Sequence, residues 1–306
     1  MTIPDDIVMP FEVKPLGMRG RIVRLGPVAD DILHRHDYPD AVSALLAEAV
    51  ALTALLGTTL KFDGKLILQT RTDGPVDMLV ADFAAPDGVR GYARFDRAKL
   101  QGQSRAALLG AGHLALTIDQ GQDMERYQGI VPLGGVSLTD AAHSYFANSE
   151  QIPTRIRIAA GPLVGRGAEA KDSWRAGAIM VQHLPEHGPP SAVAQASGDA
   201  PAGREVVVRE DDSWVKARLL LDTVEDHELI DPLLSPQNLL YRLFHEDGVT
   251  VYPPLPLKRH CTCARERIAE VIKGFPDEDR AAMVKDGDIA VTCEFCSATY
   301  RFTPVQ

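Results

Sequence analysis

The sequence predicts an α+β fold in three parts. A mixed sheet-and-helix body spans 1–165, a helical and partly mobile linker spans 166–255, and a small domain built around cysteines spans 256–306. Three observations carry this reading. Short β-rich runs separated by turn dipeptides fill the first half of the chain. Residues 185–212 are rich in Pro, Gly, Ala, Ser and acids, and no aromatic residue lies between Met180 and Trp214. All four cysteines, Cys261, Cys263, Cys293 and Cys296, lie near the C-terminal end.

Glu12–Leu25 alternates weakly and is expected to be a strand. Asp37-Tyr-Pro39 opens a helix over 40–57, with Gly57 as its cap. Strands follow at 65–70, 76–83 and 89–95, divided by Asp73-Gly-Pro75 and Pro86-Asp-Gly88, as in an antiparallel meander. A helix is expected at 104–109, strands at 113–118 and 127–132, a helix at 137–149 with Ser137 as N-cap, and a strand at 154–160. Residues 173–184 are expected to be helical. The stretch 185–212 carries too little apolar surface to offset its ordering entropy and is expected to be mobile. Trp214, Ala217, Leu220, Leu221 and Val224 recur at helical spacing. Residues 233–244 (LLSPQNLLYRLF) form a second helix, with Ser235 as N-cap and Pro236 at the first position. Both helices are expected to dock on the body. Thr250–Pro256 is a Pro-rich entry to the last part, where helices at 265–272 and 278–285 precede strands at 289–292 and 299–302.

The 306 residues carry a formal net charge of −10, which disfavours non-specific binding of a phosphate backbone. Met1–Pro10 shows no basic region before an apolar run, as a secretory signal would. The apolar stretch 41–60 contains Glu48 and small residues, which fits a core helix better than a membrane span. The expected address is the cytoplasm, where cysteine clusters mean metal or redox chemistry.

Cys261-Thr-Cys263 and Cys293-Glu-Phe-Cys296 are separated by 29 residues, 264–292. A strand–turn–strand knuckle places the second pair on one side, and the intervening helices return the first pair to meet it. Four thiolates then make a closed tetrahedral site of the structural-zinc kind, with soft ligands that favour zinc. Iron–sulfur ligation, free core thiols, structural disulfides and a permanently structural zinc are the competing readings. His260 beside Cys261 is a bystander where four thiolates are available. Each close pair is also able to close as a local disulfide after oxidation of a thiolate. Zinc ligation contributes roughly 10–16 kcal/mol to a small domain. A disulfide closing three or four residues returns about 1.5–2 kcal/mol in the chain-entropy estimate. Oxidation is therefore expected to unfold 261–302 and to loosen 213–244.

The chain resembles the 33 kDa chaperonin family, the redox-activated heat-shock holdases. The resemblance rests on the C-x-C and C-x-x-C pairs with CTCARERI and VTCEFCSATYRF around them. It extends upstream through LTALLGTTLKFDGKLILQT (52–70), RGYARFD (90–96), GHLALTID (112–119), ERYQGIVPL (125–133), YFANSEQIPTRI (145–156) and LLYRLFHEDGVTVY (239–252). It implies one zinc in the reduced state, held by Cys261, Cys263, Cys293 and Cys296 in an inactive monomer. On oxidation it implies disulfides Cys261–Cys263 and Cys293–Cys296, zinc release, disorder in roughly 166–255 and dimerisation. It further implies ATP-independent binding of unfolding client proteins under oxidative and heat stress, with later transfer to ATP-dependent foldase chaperones. The stretch 185–212 departs from the family pattern in its length and Pro/Ala/Gly content.

Other signals are weaker. Gly161-Pro-Leu-Val-Gly165-Arg-Gly167 lacks the ending of a phosphate loop. Asp119, Asp123 and Glu125 lack metal-loop spacing, and His34 and His36 flank Arg35 as at a polar helix end. No G-x-S-x-G element occurs, and no catalytic residue is expected. The alternatives are an enzyme or a nucleic-acid binder with a purely structural zinc module. In the latter, Arg265, Arg267, Lys273, Arg280, Lys285 and Arg301 would supply the charge, but acids match them.

Overall fold

The computed structural model describes residues 4–60, 63–102, 107–121, 126–165, 172–184 and 211–303. Outside the described residues lie nearly all of the stretch 185–212, residues 104–106 of the helix expected at 104–109, Asp123, Glu125 and Gly167.

The chain opens with β1 (Ile7–Val13) and β2 (Met18–Leu25), then α1 (Pro27–Leu33) and α2 (Asp40–Gly57). The meander β3 (Lys65–Thr72), β4 (Met78–Ala84) and β5 (Gly88–Arg94) follows, then β6 (Ala111–Asp119) and β7 (Tyr127–Gly134). After α3 (Leu138–Tyr145) come β8 (Thr154–Leu163) and β9 (Ser173–His183). The linker helices are α4 (Asp212–Asp222), α5 (Asp226–Ile230) and α6 (Pro236–Phe244). Three two-residue strands, β10 (Thr250–Val251), β11 (Leu255–Pro256) and β12 (Lys258–Arg259), lead to the cysteine module. That module holds α7 (Arg265–Lys273), α8 (Asp277–Met283), β13 (Val284–Lys285), β14 (Asp288–Thr292) and β15 (Thr299–Phe302).

The first sheet has the order β10-β1-β2-β9-β8, with β11 also on β1, and all its pairs are antiparallel. The second runs β12-β5-β4-β3-β6-β7 and is antiparallel except for β12 on β5. The third, β13-β14-β15, belongs to the module. Helix α2 lies between the first two sheets and packs on strands of both. It is the one described helix long and apolar enough to cross a membrane, and 83% of it is buried inside the protein. Gly57 ends that helix by close approach rather than as a left-handed cap. A Cβ there would meet the Phe83 ring at 2.4 Å, and Thr58 makes the cap.

The strand expected over 12–25 is two strands, broken by a 3₁₀ turn at Lys14–Leu16 and by Gly17 at φ 60°. The helix expected over 173–184 is the strand β9, and this is a correction. Every residue from Arg175 to Gln182 is buried, so the run shows no alternation for a strand to be read from. Two ladders, to β2 and β8, decide the outcome over local propensity. Gly177 is required here, because a Cβ would meet the Leu229 carbonyl oxygen at 2.3 Å. Strands on both sides of residue 165 thus share one sheet. Ser137 caps α3 in a reciprocal capping box with Asp140, as its position predicts, and the helix runs on as a π turn over Phe146–Glu150.

Period-two alternation in the first sheet separates two apolar faces. Val8, Val23, Leu25, Ala178 and Met180 face α2 and the second sheet. Met9, Phe11, Ile22, Ile179 and Val181 face the other way, against Trp214, Ala217, Leu221, Leu229, Leu240 and Phe244 of the linker helices. Asp211 and Ser235 cap α4 and α6 through their side chains.

Candidate metal centre

The two cysteine pairs arrive from different directions. Cys261 and Cys263 lie between β12 and α7, while Cys293 and Cys296 occupy the turn from β14 to β15. That turn closes through Ser297 N donating to Cys293 O (2.8 Å) and Cys293 N donating to Ala298 O (2.9 Å). Ser297 takes a left-handed conformation, φ 54°, to complete it.

The four Sγ atoms all lie within 4.8 Å of one another. Cys261 is 3.2 Å from Cys263 and 3.7 Å from Cys293, and Cys263 is 3.3 Å from Cys296. Sulfurs around a tetrahedral zinc at its usual bond length sit about 3.8 Å apart, so the set is compatible with that ion. No disulfide joins them. Burial pushes the Cys296 thiol up to about 12, aided by its thiol neighbours, and burial likewise raises Cys261. Burial acts against ionisation of Cys263 too, but the Tyr300 hydroxyl, 3.3 Å from its sulfur, and the neighbouring thiols bring it down to about 7. Of the three thiols so shifted, Cys263 is the one favoured to ionise. Four thiolates at these distances repel, and a divalent cation is the group that would let all four ionise. The chemistry of the donor set and its spacing thus fit zinc.

The module is anchored to the body around this knuckle. The Arg90 guanidinium sits 3.9 Å from the centre of the Phe295 ring, donates to Thr262 Oγ1 (3.2 Å), and pairs with buried Asp82. The Tyr92 hydroxyl donates to Glu294 (3.3 Å), and His36 Nδ1 lies 3.3 Å from Ser297 Oγ. Arg259 pairs with Asp31, and His260 N donates to Val89 O (2.8 Å). His260 is not among the clustered ligand atoms. Sequence reading singled out His34, Arg35 and His36 as a polar helix end, and they do follow α1. It missed that His36, Arg90 and Tyr92 receive the cysteine turn, because those contacts join residues some 170 to 260 positions apart.

The family model described as "Hsp33 protein" matches residues 6–303. The chain belongs to the Hsp33 family. Among curated Hsp33 relatives, the 33 kDa chaperonin of Caulobacter vibrioides is 44% identical over 309 residues, covering 98% of this chain and 95% of its own. That of Azotobacter vinelandii is 36% identical, covering 97% and 91%. The crystal structure of the Thermotoga maritima 33 kDa chaperonin, an Hsp33 homologue, superposes with a TM-score of 0.77 at 22% identity, over 97% of this chain and 95% of that one. The Hsp33 resemblance read from the sequence is thereby established, together with the mixed α+β architecture.

Proposed function

We propose that this chain is a redox-regulated, ATP-independent holdase chaperone of the cytoplasm, with no catalytic residue. The observation that carries the proposal is the convergence of four sulfurs from two adjacent pairs on one point. Membership of the Hsp33 family and the chaperonin names of its relatives support it. Cys261, Cys263, Cys293 and Cys296 hold one zinc when reduced, and zinc supplies the cross-link that folds the module. Oxidation pairs Cys261 with Cys263 and Cys293 with Cys296, and zinc leaves.

The proposed division of the chain is the body over 1–165, the linker over 166–255 and the switch module over 256–306, with β9 of the linker range built into the body sheet. Loss of zinc frees the turn that carries Phe295 from Arg90. The linker helices then part from the outer face of the first sheet. Met9, Phe11, Ile22, Ile179 and Val181, all nearly fully buried, become the surface offered to unfolded clients. An apolar face of that extent in water also favours a homodimer of the oxidised chain, with the reduced chain monomeric. Release of clients to ATP-dependent foldase chaperones follows reduction.

Light scattering of a heat-denaturing client, with zinc and free thiols counted in parallel, tests the proposal. Suppression only after peroxide treatment, with zinc released, is the expected result. Equal failure of the reduced and oxidised chains would remove it.

A further inference from the structure

Two buried arginines fasten the linker to the first sheet. Arg24 on β2 and Arg175 on β9 have side chains only 2% and 7% exposed. Both pair with Asp5, Arg24 through Nε to Oδ1 (3.2 Å) and Arg175 through Nη1 to Oδ2 (2.8 Å). Their other N–H groups go to backbone carbonyls of the linker turn between α5 and α6. Arg175 Nε donates to Ile230 O (2.7 Å), Arg24 Nη2 to Asp231 O (2.9 Å), and Arg24 Nη1 to Leu234 O. No side chain of the turn takes part in these three bonds. The two guanidiniums thus read bare peptide oxygens, beside the apolar face that the same linker covers. An open recess of about 260 Å³, lined by Leu163, Arg175, Ile230 and Pro232 among others, borders the turn, so the place has room beyond its present occupant.

We propose that Arg24 and Arg175 form a client-binding site that takes main-chain carbonyl oxygens of an unfolded polypeptide, and that Ile230–Leu234 occupies it in the closed state as an internal mimic. The inference rests on the proposed opening of the linker. When the turn leaves, the two cations keep Asp5 as their hydrogen-bonded carboxylate, with Asp6 nearby, and lose three acceptors at once. Water takes the place of those acceptors in the open state, and a peptide oxygen that displaces it regains a charge-assisted bond beside an apolar face. Peptide oxygens are present in every sequence, whereas folded proteins keep theirs in ladders and helices. The site therefore selects unfolded chains without selecting a sequence, and the apolar face supplies the remaining contact.

The decisive measurement is the affinity of the oxidised full chain for a permanently unfolded probe, reduced and carboxamidomethylated α-lactalbumin, by fluorescence anisotropy. The R24Q/R175Q variant is expected to bind at least about tenfold more weakly than the oxidised wild type, since bonds to charged donors are lost. If the arginines only hold the linker, the oxidised variant, already open, binds within about threefold of wild type, and the inference is overturned. Should the variant fail to fold, the Nε–H resonances of Arg24 and Arg175 in the oxidised wild type decide instead. A shift on adding the probe supports the site, and unmoved resonances overturn it. If the oxidised wild type itself binds no probe, the holdase reading fails rather than this one.

Discussion

The linker helices and the cysteine module both rest on the body, yet they are held by different physics. Helices α4 and α6 bury Trp214, Ala217, Leu221, Leu239, Leu240 and Phe244 against a continuous apolar face. Beyond residue 260, the only buried apolar side chains among the described residues are Ile272, Ile289 and Cys296. A module so poor in core needs a cross-link to fold, and its knuckle meets the body through the Arg90–Phe295 cation–π contact, the Tyr92–Phe295 ring pair and polar bonds. The lesson is that a single chemical event can dissolve the second attachment outright, whereas the first responds by degrees.

The largest expected effect comes from breaking that asymmetry at the metal. Cys296→Ser, or chelation of the wild type, removes a contribution of roughly 10 kcal/mol to the module. Far-UV circular dichroism should lose the α7 and α8 signal, and hydrogen exchange should rise across 265–302 while α2 and β9 stay protected. Unchanged exchange there would mean that the module folds without metal. Next, Phe244→Ala tests the apolar attachment, since Phe244 is fully buried and its ring lies 6.0 Å from that of Phe11. The expected cost is about 3–5 kcal/mol. The reduced chain should then suppress client aggregation without peroxide. A variant that stays inactive until oxidised would show that linker burial is not what keeps the chaperone silent.

A smaller effect, about 1–3 kcal/mol, is expected for Arg90→Ala, which removes the Phe295 and Thr262 contacts and leaves buried Asp82 without its partner. Faster zinc loss on peroxide treatment, followed with a chromogenic chelator, is the readout. The smallest is Ser137→Ala, about 1 kcal/mol from loss of the α3 capping box. It should lower the melting temperature slightly and leave the oxidant dependence where it was. A shift in that dependence would mean that the switch senses global stability rather than the two attachments.

How much of this was legible follows from the range of each signal. Helix α2, the meander and both cysteine pairs are written in local pattern, and the capping residues Ser137 and Ser235 are where turn chemistry puts them. Strand β9 was misread because burial on both faces erases the alternation that marks a strand. Helix α1 left a signal that was overlooked, with Pro27 at its first position and Val28, Ala29, Ile32 and Leu33 on one face. The seating of Phe295 under Arg90 and the Asp5–Arg24–Arg175 cluster left none, since each joins residues that only the folded chain brings together.

The short strands between α6 and the cysteines set an order of events. Residues 250–251 and 255–256 lie along β1 of one sheet, Leu257 N donates to Asp6 O, and residues 258–259 lie along β5 of the other. In the proposed switch, disturbance spreading upstream from the knuckle meets these two-residue stitches one after another, like the teeth of a zip, ahead of the helix that precedes them. Under the proposed switch, a brief oxidation that is promptly reversed meets a fastening still closed at its far end, and the seam is then a delay line that separates a passing signal from a lasting one.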